Sequence, residues 1–466
     1  MKSFAFRPKP LCIPPLDPDF QPISLGNREF RKSIAATNDS VEIVIALERE
    51  RGFRSVHRAR VFGPSAGMDE QNCIYVERLV KSLLWVRGGW RIMFGGPSYI
   101  GEYLRAAYAD GGSREFDARF MARVYEKPFT VEIMDPADVP PARESAQPRG
   151  RNLDGCRIGF DAGGSDRKVS AVVDGEAIYS EEVVWHPKLM SDPAYHYEGI
   201  LDSMKTAASK MPRVDAIGVS AAGIYIDNRV MVASLFIKVP EDVFDKKVKN
   251  MFLDIQKEMG GVPLEVANDG DVTALAGAME LNENRVLGIA MGTSEAGGYV
   301  DRDGNITGWL NELAFVPVDY NPDAMADEWS GDTGCGVKYF SQDAVIKLAP
   351  AAGIPLPADI SPAEKLKVVQ ELEAAGDPRS ARIYESIGCY LGYALAYYAE
   401  FYDIAHVLLL GRVTSGTGGS RMLDKAREVL SCEFPELART MTLHLPDEKS
   451  KRVGQSIAAA SLPSLR

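Results

Sequence analysis

The sequence predicts an α/β protein in which a small α/β domain precedes a larger α/β region. Two observations predict this class. Short apolar runs alternate along the chain with segments whose apolar residues recur at helical spacing. After residue 155, strand-like runs follow one another and then alternate with helices, which is typical of mixed sheets flanked by helices. A stretch rich in Pro, Arg and small residues, 135–155, separates the two parts and is interpreted as a linker.

The part before the linker, residues 1–134, is predicted to be a small α/β domain. Strand-like runs lie at 41–47, 90–94 and 129–134, and helical periodicity occurs at 73–84 and 99–108. The arginine-rich segment 49–60 is flanked by Glu48 and Glu50, so we interpret it as a solvated strand or loop face. The sequence assigns no function to this domain.

Composition narrows the classes of function. The 466 residues are 45% hydrophobic and leave room for about three domains. A net charge of −12 argues against a nucleic-acid or anionic-membrane partner. The six cysteines form no CxxC pair and the N-terminus has no signal-like apolar run, which together predict reduced thiols and a cytoplasmic protein. The five histidines lack zinc-ligand spacing, so no zinc is expected.

The first chemistry-bearing segment is GFDAGGS, residues 159–165. Gly163 and Gly164 can adopt positive φ and turn backbone N–H groups toward an anion. Asp161, at the end of the strand, is placed to hold Mg²⁺ through water. The alternative is an ordinary hairpin turn, because a glycine pair between two strands is a hairpin signal.

The second segment is AMGTSEAGGYVDRDG, residues 290–304. Gly292, Gly297 and Gly298 would allow close backbone approach and Thr293 would add a hydroxyl, a combination suited to gripping a terminal phosphate. A plain hairpin is again the alternative.

The third and fourth segments also follow strands. Asn268 ends the strand-like run 263–268 and Asp269 follows it. A carboxylate at this end of a strand can take a proton from an attacking hydroxyl. The alternative is ordinary helix capping by Asn-Asp. The segment 406–420 carries Gly411 and Gly416, which could accept an adenine or ribose against the backbone or could form a flexible strand-to-helix turn.

Taken in order, these four segments resemble the ROK family of sugar kinases and sugar-responsive repressors, within the hexokinase–actin superfamily. The resemblance runs from about residue 157 to the C-terminus. It implies two actin-like, ribonuclease H-like subdomains, 156–280 and 281–466, that form a clamshell. It also implies ATP-dependent phosphorylation of a small sugar-like substrate with ATP and Mg²⁺ as cofactors, and it is compatible with a homodimer.

The family's roles carry over by position. Asp269 would be the general base, and the sugar would contact Asn268, Glu312 and the strand and turn that hold Ser220 and Gly223. Taken alone, Glu312 is also consistent with a solvated charge at a helix end. The phosphate and nucleotide contacts would come from Asp161, Gly163, Gly164, Ser165, Gly292, Thr293, Ser294, Gly411, Ser415 and Gly416.

The sugar side departs from the family pattern. Phe315 stands where a sugar- and zinc-binding histidine is usual, Cys335 alone remains of a cysteine cluster, and Val337 replaces a sugar-binding glutamate. Zinc is therefore not expected, and the loss of an acceptor argues against the usual hexose.

On the nucleotide side, Arg412 replaces a glycine and Glu295 adds a carboxylate. A carboxylate facing a γ-phosphate would cost roughly 4 kcal/mol at 4 Å and surface-like dielectric, unless its side chain points away. The alternative function is therefore a non-catalytic ligand sensor that keeps the fold. A DNA-binding repressor is disfavoured, because residues 1–134 show no helix-turn-helix pattern with a basic second helix.

Overall fold

The structure is a computed structural model that describes residues 3–144, 149–446 and 448–465. Residues 145–148 of the predicted linker lie outside the described residues. Elements are numbered along the chain. The first part contains α1 (Ile23–Ala35), β1 (Ser40–Glu48), β2 (Arg54–Phe62), α2 (Asp69–Arg87), β3 (Arg91–Gly95), α3 (Ser98–Ala107), α4 (Glu115–Tyr125) and β4 (Thr130–Met134).

The strands of this part form a sheet in the order β2–β1–β3–β4. Strand β1 is antiparallel to both neighbours, and β3 is parallel to β4. The predicted strands and both predicted helices are present, whereas α1 and α4 were not predicted. The basic segment 49–60 forms much of β2, but the expectation of a solvated face is wrong for Arg49. That side chain is 2% exposed and pairs with Glu144 and with the carbonyl oxygen of Arg87.

The middle of the chain builds a second sheet in the order β11–β8–β5–β6–β7. Strands β5, β8 and β11 run parallel, so their carboxyl ends meet at one edge. The elements are β5 (Cys156–Ala162), β6 (Asp166–Val173), β7 (Glu176–Val184), α5 (Pro193–Ala208), β8 (Ala216–Ala221), β9 (Ile224–Ile226), β10 (Arg229–Val232), α6 (Glu241–Val243), α7 (Met251–Glu258), β11 (Leu264–Asn268) and α8 (Asp269–Leu281).

The last part of the chain contributes a sheet in the order β13–β12–β14–β15, and helices lie between and after its strands in the sequence. Its elements are β12 (Val286–Met291), β13 (Glu295–Val300), α9 (Gln342–Leu348), α10 (Pro362–Ala374), α11 (Pro378–Tyr398), β14 (His406–Leu410), α12 (Thr417–Glu433), α13 (Pro435–Thr440), β15 (Thr442–His444) and α14 (Glu448–Ala460). In the described part of the chain, none of the helices combines the length and apolar character that crossing a bilayer requires.

The chain divides into two compact units that differ from the predicted domains. Unit 1 comprises Met1–Ser145, Ile289–Gly297 and Trp309–Leu445, and unit 2 comprises Ala146–Gly288, Gly298–Gly308 and Pro446–Arg466. The predicted domain 1–134 therefore shares a unit with most of the predicted subdomain 281–466. Helix α14, placed by prediction in that subdomain, belongs to unit 2 with residues 156–280.

Aromatic packing explains why the N-terminal residues belong to unit 1. The ring of Phe4 stacks on Tyr320 at a centroid distance of 4.3 Å, and Phe20 meets Tyr390 at 4.7 Å. All four side chains are buried. Burying such large rings stabilises the packing of the N-terminal segment against residues more than 300 positions away in the chain.

Close helix-to-sheet packing explains why α14 belongs to unit 2. A Cβ on Gly159 of β5 would lie 1.8 Å from the carbonyl oxygen of Ser456, and one on Gly218 of β8 would lie 1.6 Å from that of Ala459. Only glycine allows this approach, so the two strands have a groove that receives α14.

Candidate functional site

Asp161 lies at the carboxyl edge of the unit 2 sheet, in register with Ser220 on β8. The Ser220 hydroxyl donates to Asp161 Oδ1 at 2.8 Å. Gln455 of α14, which the sequence did not single out, donates through Nε2 to the same oxygen at 3.3 Å and to Ser220 Oγ at 3.2 Å. Burial, with a contribution from the charge of Asp269, raises the pKa of Asp161 to about 6.

The predicted first phosphate segment is a hairpin that joins β5 and β6. The last strand pair is Ala162 with Arg167, and Gly164 and Ser165 are exposed. Gly163 and Gly164 do not use the positive φ that glycine permits, since neither is among the glycines with positive φ. Trp185 holds the turn instead, donating from Nε1 to the Gly163 carbonyl at 2.8 Å and from its backbone N–H to that of Ser165 at 3.1 Å.

Asn268 and Asp269 lie where β11 passes into α8. Asn268 Oδ1 accepts from the backbone N–H of Gly270 at 2.7 Å, so the capping interpretation is confirmed. Its Nδ2 donates at 2.8 Å to the carbonyl of Gly223, which itself has φ 131°. The Asn268 side chain thus connects α8 to the turn after β8.

Asp269 is the first residue of α8 and is partly buried. Burial raises its pKa, against the lowering effect of backbone N–H groups at the helix start and of the Lys188 charge. A carboxyl group in this position is suited to exchanging a proton with a neighbouring hydroxyl.

Lys188 is a further charged residue at this edge that the sequence did not identify. It is exposed, and its Cε and Nζ lie 3.3 and 3.4 Å from the position that a Cβ on Gly164 would occupy. Its charge also lowers the pKa of Asp269. Nothing in the sequence marks a single lysine after a strand as a site residue. Lys188 comes close to Gly164 because of the path that the β7–α5 connection takes.

The predicted second phosphate segment is also a short hairpin. Strands β12 and β13 are neighbours, and the three residues between them are partly or fully exposed: Gly292, Thr293 and Ser294. Gly297 and Gly298 lie inside β13 and serve packing. A Cβ on Gly297 would lie 2.5 Å from the carbonyl oxygen of Asn311, and one on Gly298 would lie 2.1 Å from that of Gly270.

Glu295 opens β13 and points away from the exposed loop. Its side chain is 3% exposed, and its Oε2 lies 2.4 Å from where a Cβ on Gly336 would be. Burial, with the nearby charge of Glu312, raises the pKa of Glu295 well above its usual range, although the hydroxyl of Tyr398 acts to lower it. Because the carboxyl is buried on the side of Gly336 and points away from the exposed loop, the repulsion of a phosphate that the sequence suggested does not arise from this arrangement.

Glu312 lies in unit 1 in a segment that is held by α2. Its backbone N–H donates to the carbonyl of Trp85 at 3.1 Å, and its side chain is partly buried. The carboxylates of Glu312 and Glu295 are close enough to interact electrostatically. Glu312 is therefore not the fully solvated charge of the alternative interpretation.

The residues at the positions of the family's zinc ligands do not fit a zinc site. Phe315 stacks on Trp85 of α2 at a centroid distance of 4.1 Å. Burial raises the pKa of the Cys335 thiol to about 12, which keeps it protonated, whereas zinc binds the thiolate. The side chain of Val337 is buried against Cys335 and Ala314.

The predicted adenosine segment forms a strand-to-helix turn with a cavity beside it. Gly411 has φ 94°, and a Cβ there would lie 2.2 Å from the Met291 carbonyl oxygen. Gly416 has φ 73° and precedes α12. A cavity of about 230 Å³ is lined by residues 415–418 and by Gln370, Glu373, Ala374 and Tyr384.

The side chains of Tyr384 and Glu373 both line this cavity. Tyr384 is fully buried, and its OH has no hydrogen-bond partner among the described residues. Glu373 accepts from Ser380 at 2.9 Å and from Arg421 at 2.8 Å. A buried hydroxyl such as that of Tyr384 is costly unless a ligand or water satisfies it. The exposed Arg412 contributes its backbone carbonyl to Gln370 at 2.6 Å.

The predicted site residues thus fall into two groups. Unit 2 brings Asp161, Ser220 and Asp269 together and links Asn268 to Gly223, with the hairpin residues 163–165 beside them. Unit 1 holds Glu312 and the hairpin residues 292–294, and its cavity is lined by Ser415 and Gly416.

Solved structures with a similar fold support the assignment of the architecture. The ROK hexokinase from Thermus thermophilus matches with a TM-score of 0.52 and 20% identity, over 66% of this chain and 97% of that one. A ROK family transcriptional regulator, a homologue of the E. coli MLC protein, matches with a TM-score of 0.54 and 18% identity, over 66% and 79%. Glucokinase from Parabacteroides distasonis matches with a TM-score of 0.50 and 14% identity, over 67% and 98%.

No protein-family model matches the chain, and no curated protein matches it in sequence. At identities of 20% or less, a structural likeness shows the fold alone. The predicted fold class is confirmed: the chain has the actin-like α/β fold found in ROK sugar kinases and in a ROK regulator.

Proposed function

We propose that the protein transfers the γ-phosphoryl group of ATP to a hydroxyl of a sugar or sugar-like molecule. The observation that carries the proposal is the placement of Asp269 at the carboxyl edge of the unit 2 sheet, near Asp161 and Lys188. In open α/β sheets this edge is where ligands bind. The kinase folds among the solved structures make phosphoryl transfer the reaction class with the best support.

Asp269 would act as the general base. Burial raises its pKa, so Asp269 holds a proton more readily than an exposed aspartate does. The positive charge of Lys188 acts in the opposite direction and lowers this pKa. A base tuned toward neutral pH removes the proton of an attacking hydroxyl most effectively, and such a base contributes about 10²- to 10⁴-fold in rate.

Asp161 would hold Mg²⁺ through water. Its carboxylate, beside the second acid Asp269, provides the oxygen chemistry that Mg²⁺ prefers. When bound, the ion supplies positive charge to the phosphate oxygens during transfer. Ser220 and Gln455 orient the Asp161 carboxylate through their hydrogen bonds to Oδ1.

The unit 1 cavity beside Ser415 and Gly416 would take the adenosine. Backbone at a glycine-rich turn permits close approach of a flat base. On the acceptor side, Glu312 would bind substrate hydroxyls. Because Val337 is buried and apolar, a ligand with fewer hydroxyls at that position than a hexose is the better fit.

The test is product formation with Mg·ATP and a panel of sugars and polyols, followed by mass spectrometry. We expect one phosphorylated product, with a rate that falls at least about 100-fold in Asp269→Asn. Asp254→Asn, on the exposed surface of α7, is the matched control and should leave the rate unchanged. No product from any acceptor, or an undiminished rate in Asp269→Asn, would reject the proposal.

A second candidate is a ligand sensor without kinase activity. It is favoured by Phe315, whose ring packs on Trp85, because the resembling kinases have a sugar-contacting histidine at this position. The fold is also shared with a transcriptional regulator. Sugar binding by a protein that does not bind Mg·ATP would support this candidate over the kinase.

A further inference from the structure

Helix α2 holds the segment that contains Glu312. We call residues 309–338 the Glu312 segment. The backbone N–H of Asn311 donates to the carbonyl of Val86, and that of Glu312 to the carbonyl of Trp85, each at 3.1 Å. Both carbonyls lie in the last turn of α2, where helix carbonyls lack intrahelical partners. The open end of α2 therefore anchors the backbone of Glu312 directly.

Aromatic side chains reinforce this anchor. The Trp85 ring, fully buried, stacks on Phe315 at a centroid distance of 4.1 Å. The guanidinium of Arg87 lies 3.3 Å from the centroid of the Trp309 ring. Cation–π and stacking contacts of this kind stabilise the packing of the rings that form them. They join α2 to the Glu312 segment on both sides of Glu312 in sequence.

Buried ion pairs make a third connection, farther along the segment. Asp332 accepts from Arg78 at 2.6 Å and lies 3.3 Å from the ammonium of Lys81, both on α2, and it lies 2.9 Å from Arg114 next to α4. Although burial acts to raise it, these cations hold the pKa of Asp332 well below its usual range. Lys81 is also paired with Asp117 at 3.3 Å.

The buried charges bind the two parts to each other. All of these side chains are at most 5% exposed, so none can exchange its partner for water without a large cost. Displacing the Glu312 segment from α2 would therefore break an ion-pair cluster, two backbone hydrogen bonds and a ring stack together.

We propose that α2 is a positioning element that sets where the Glu312 carboxylate meets a hydroxylated ligand. The proposal rests on the proposed function in one respect, the role of Glu312 as a ligand residue. It gives residues 1–134 a task in substrate recognition. It also explains what occupies the place of the family's zinc ligands, since Phe315 and Cys335 pack among the side chains that α2 presents.

The kinetic test uses three variants of the full chain and the acceptor identified in the sugar panel. Trp85→Ala removes the stack and is expected to raise KM for the acceptor about tenfold while KM for ATP stays within about twofold. Trp85→Phe keeps a ring against Phe315 and should restore KM to within about threefold of the parent value. Trp90→Ala, which removes a tryptophan that contacts Arg49 and Lys127, should change neither constant.

A second readout is independent of activity. Amide hydrogen exchange at Asn311 and Glu312 reports the two backbone bonds to α2, and we expect it to be at least about tenfold faster in Trp85→Ala than in Trp90→Ala at a temperature where both are folded. If Trp85→Ala does not fold, Trp309→Ala replaces it, because that side chain is only partly buried.

The outcomes separate the two proposals. Faster exchange with no acceptor found would leave the anchoring in place and reject the kinase. Equal exchange in the Trp85 and Trp90 variants, or equal changes of KM for acceptor and ATP, would overturn the positioning role of α2.

Discussion

The edge of the unit 2 sheet and the Glu312 segment of unit 1 are held in place by different interactions. At the sheet edge, strand pairing fixes Asp161, Asp269 begins α8 directly after β11, and Lys188 and Gly164 are exposed. The Glu312 segment is held by buried charges and rings from a helix more than 200 residues away in sequence. We therefore expect substitutions at the sheet edge to leave the free energy of unfolding nearly unchanged, and substitutions that loosen the Glu312 segment to lower it.

The largest effect that tests this contrast is on stability, at Asp332. Asp332→Asn leaves Arg78, Lys81 and Arg114 with one less buried anion, and we expect a loss of roughly 3–5 kcal/mol in the free energy of unfolding. The measurement is urea unfolding followed by circular dichroism.

The matched control is Glu132→Gln, which removes an acid from the partly exposed pair with Arg91 at 2.6 Å. It should cost about 1 kcal/mol or less. Equal losses in the two variants would show that the buried cluster does not hold the segment more firmly than a surface pair.

A smaller effect, on activity alone, is expected at Lys188. The charge of Lys188 lowers the pKa of Asp269, so Lys188→Met should move the pKa of the base upward. A general base works in its deprotonated form, and the acidic limb of the pH–rate profile should therefore shift to higher pH. At pH 7 we expect kcat to fall about tenfold, with the unfolding midpoint unchanged within error.

Lys210→Met, at an exposed residue near Tyr179, is the control for loss of a lysine in unit 2. An unshifted acidic limb in Lys188→Met would remove Lys188 from the site.

The smallest effect is expected at Glu295 and depends on pH. The folded-state pKa of this buried carboxyl is raised well above that of the unfolded chain. Below the pKa of the unfolded chain this group is protonated in both states and its burial costs little. The free energy of unfolding then falls as pH rises toward the folded-state pKa. Glu295→Gln keeps the shape without the charge, so it should stabilise the protein at pH 8 by about 1 kcal/mol and change little near pH 4.5.

Thermal unfolding at the two pH values measures this difference. A variant less stable than the parent at pH 8 would mean that Glu295 is ionised and paired in the folded protein.

The same contrast explains which features the sequence could predict. Strand patterns and glycine-rich ends placed β5, β8, β11, β12 and β14 correctly, because period and turn chemistry are local. The edge position of Asp161 and Asp269 follows from those strands. Gly163 and Gly164 do not use the positive φ that their residue type permits, and Trp185 holds the β5–β6 connection instead.

The remaining features depend on contacts between distant residues. Nothing in the sequence near Trp85 indicates that its carbonyl accepts from Glu312, or that Lys188 lies beside Gly164. The sequence does contain one indication of where Glu295 points. Glu295 lies two positions before Gly297, so the two residues share one face of the strand, and Gly297 packs against Leu313.

The central claim is that this fold uses Mg·ATP, and calorimetric titration tests it most directly. A non-hydrolysable ATP analogue with Mg²⁺ is titrated into the folded full chain, with and without the acceptor. The account predicts saturable binding of about one analogue per chain that weakens when Mg²⁺ is removed. No saturable binding in either condition, from protein whose circular dichroism shows it folded, would contradict it.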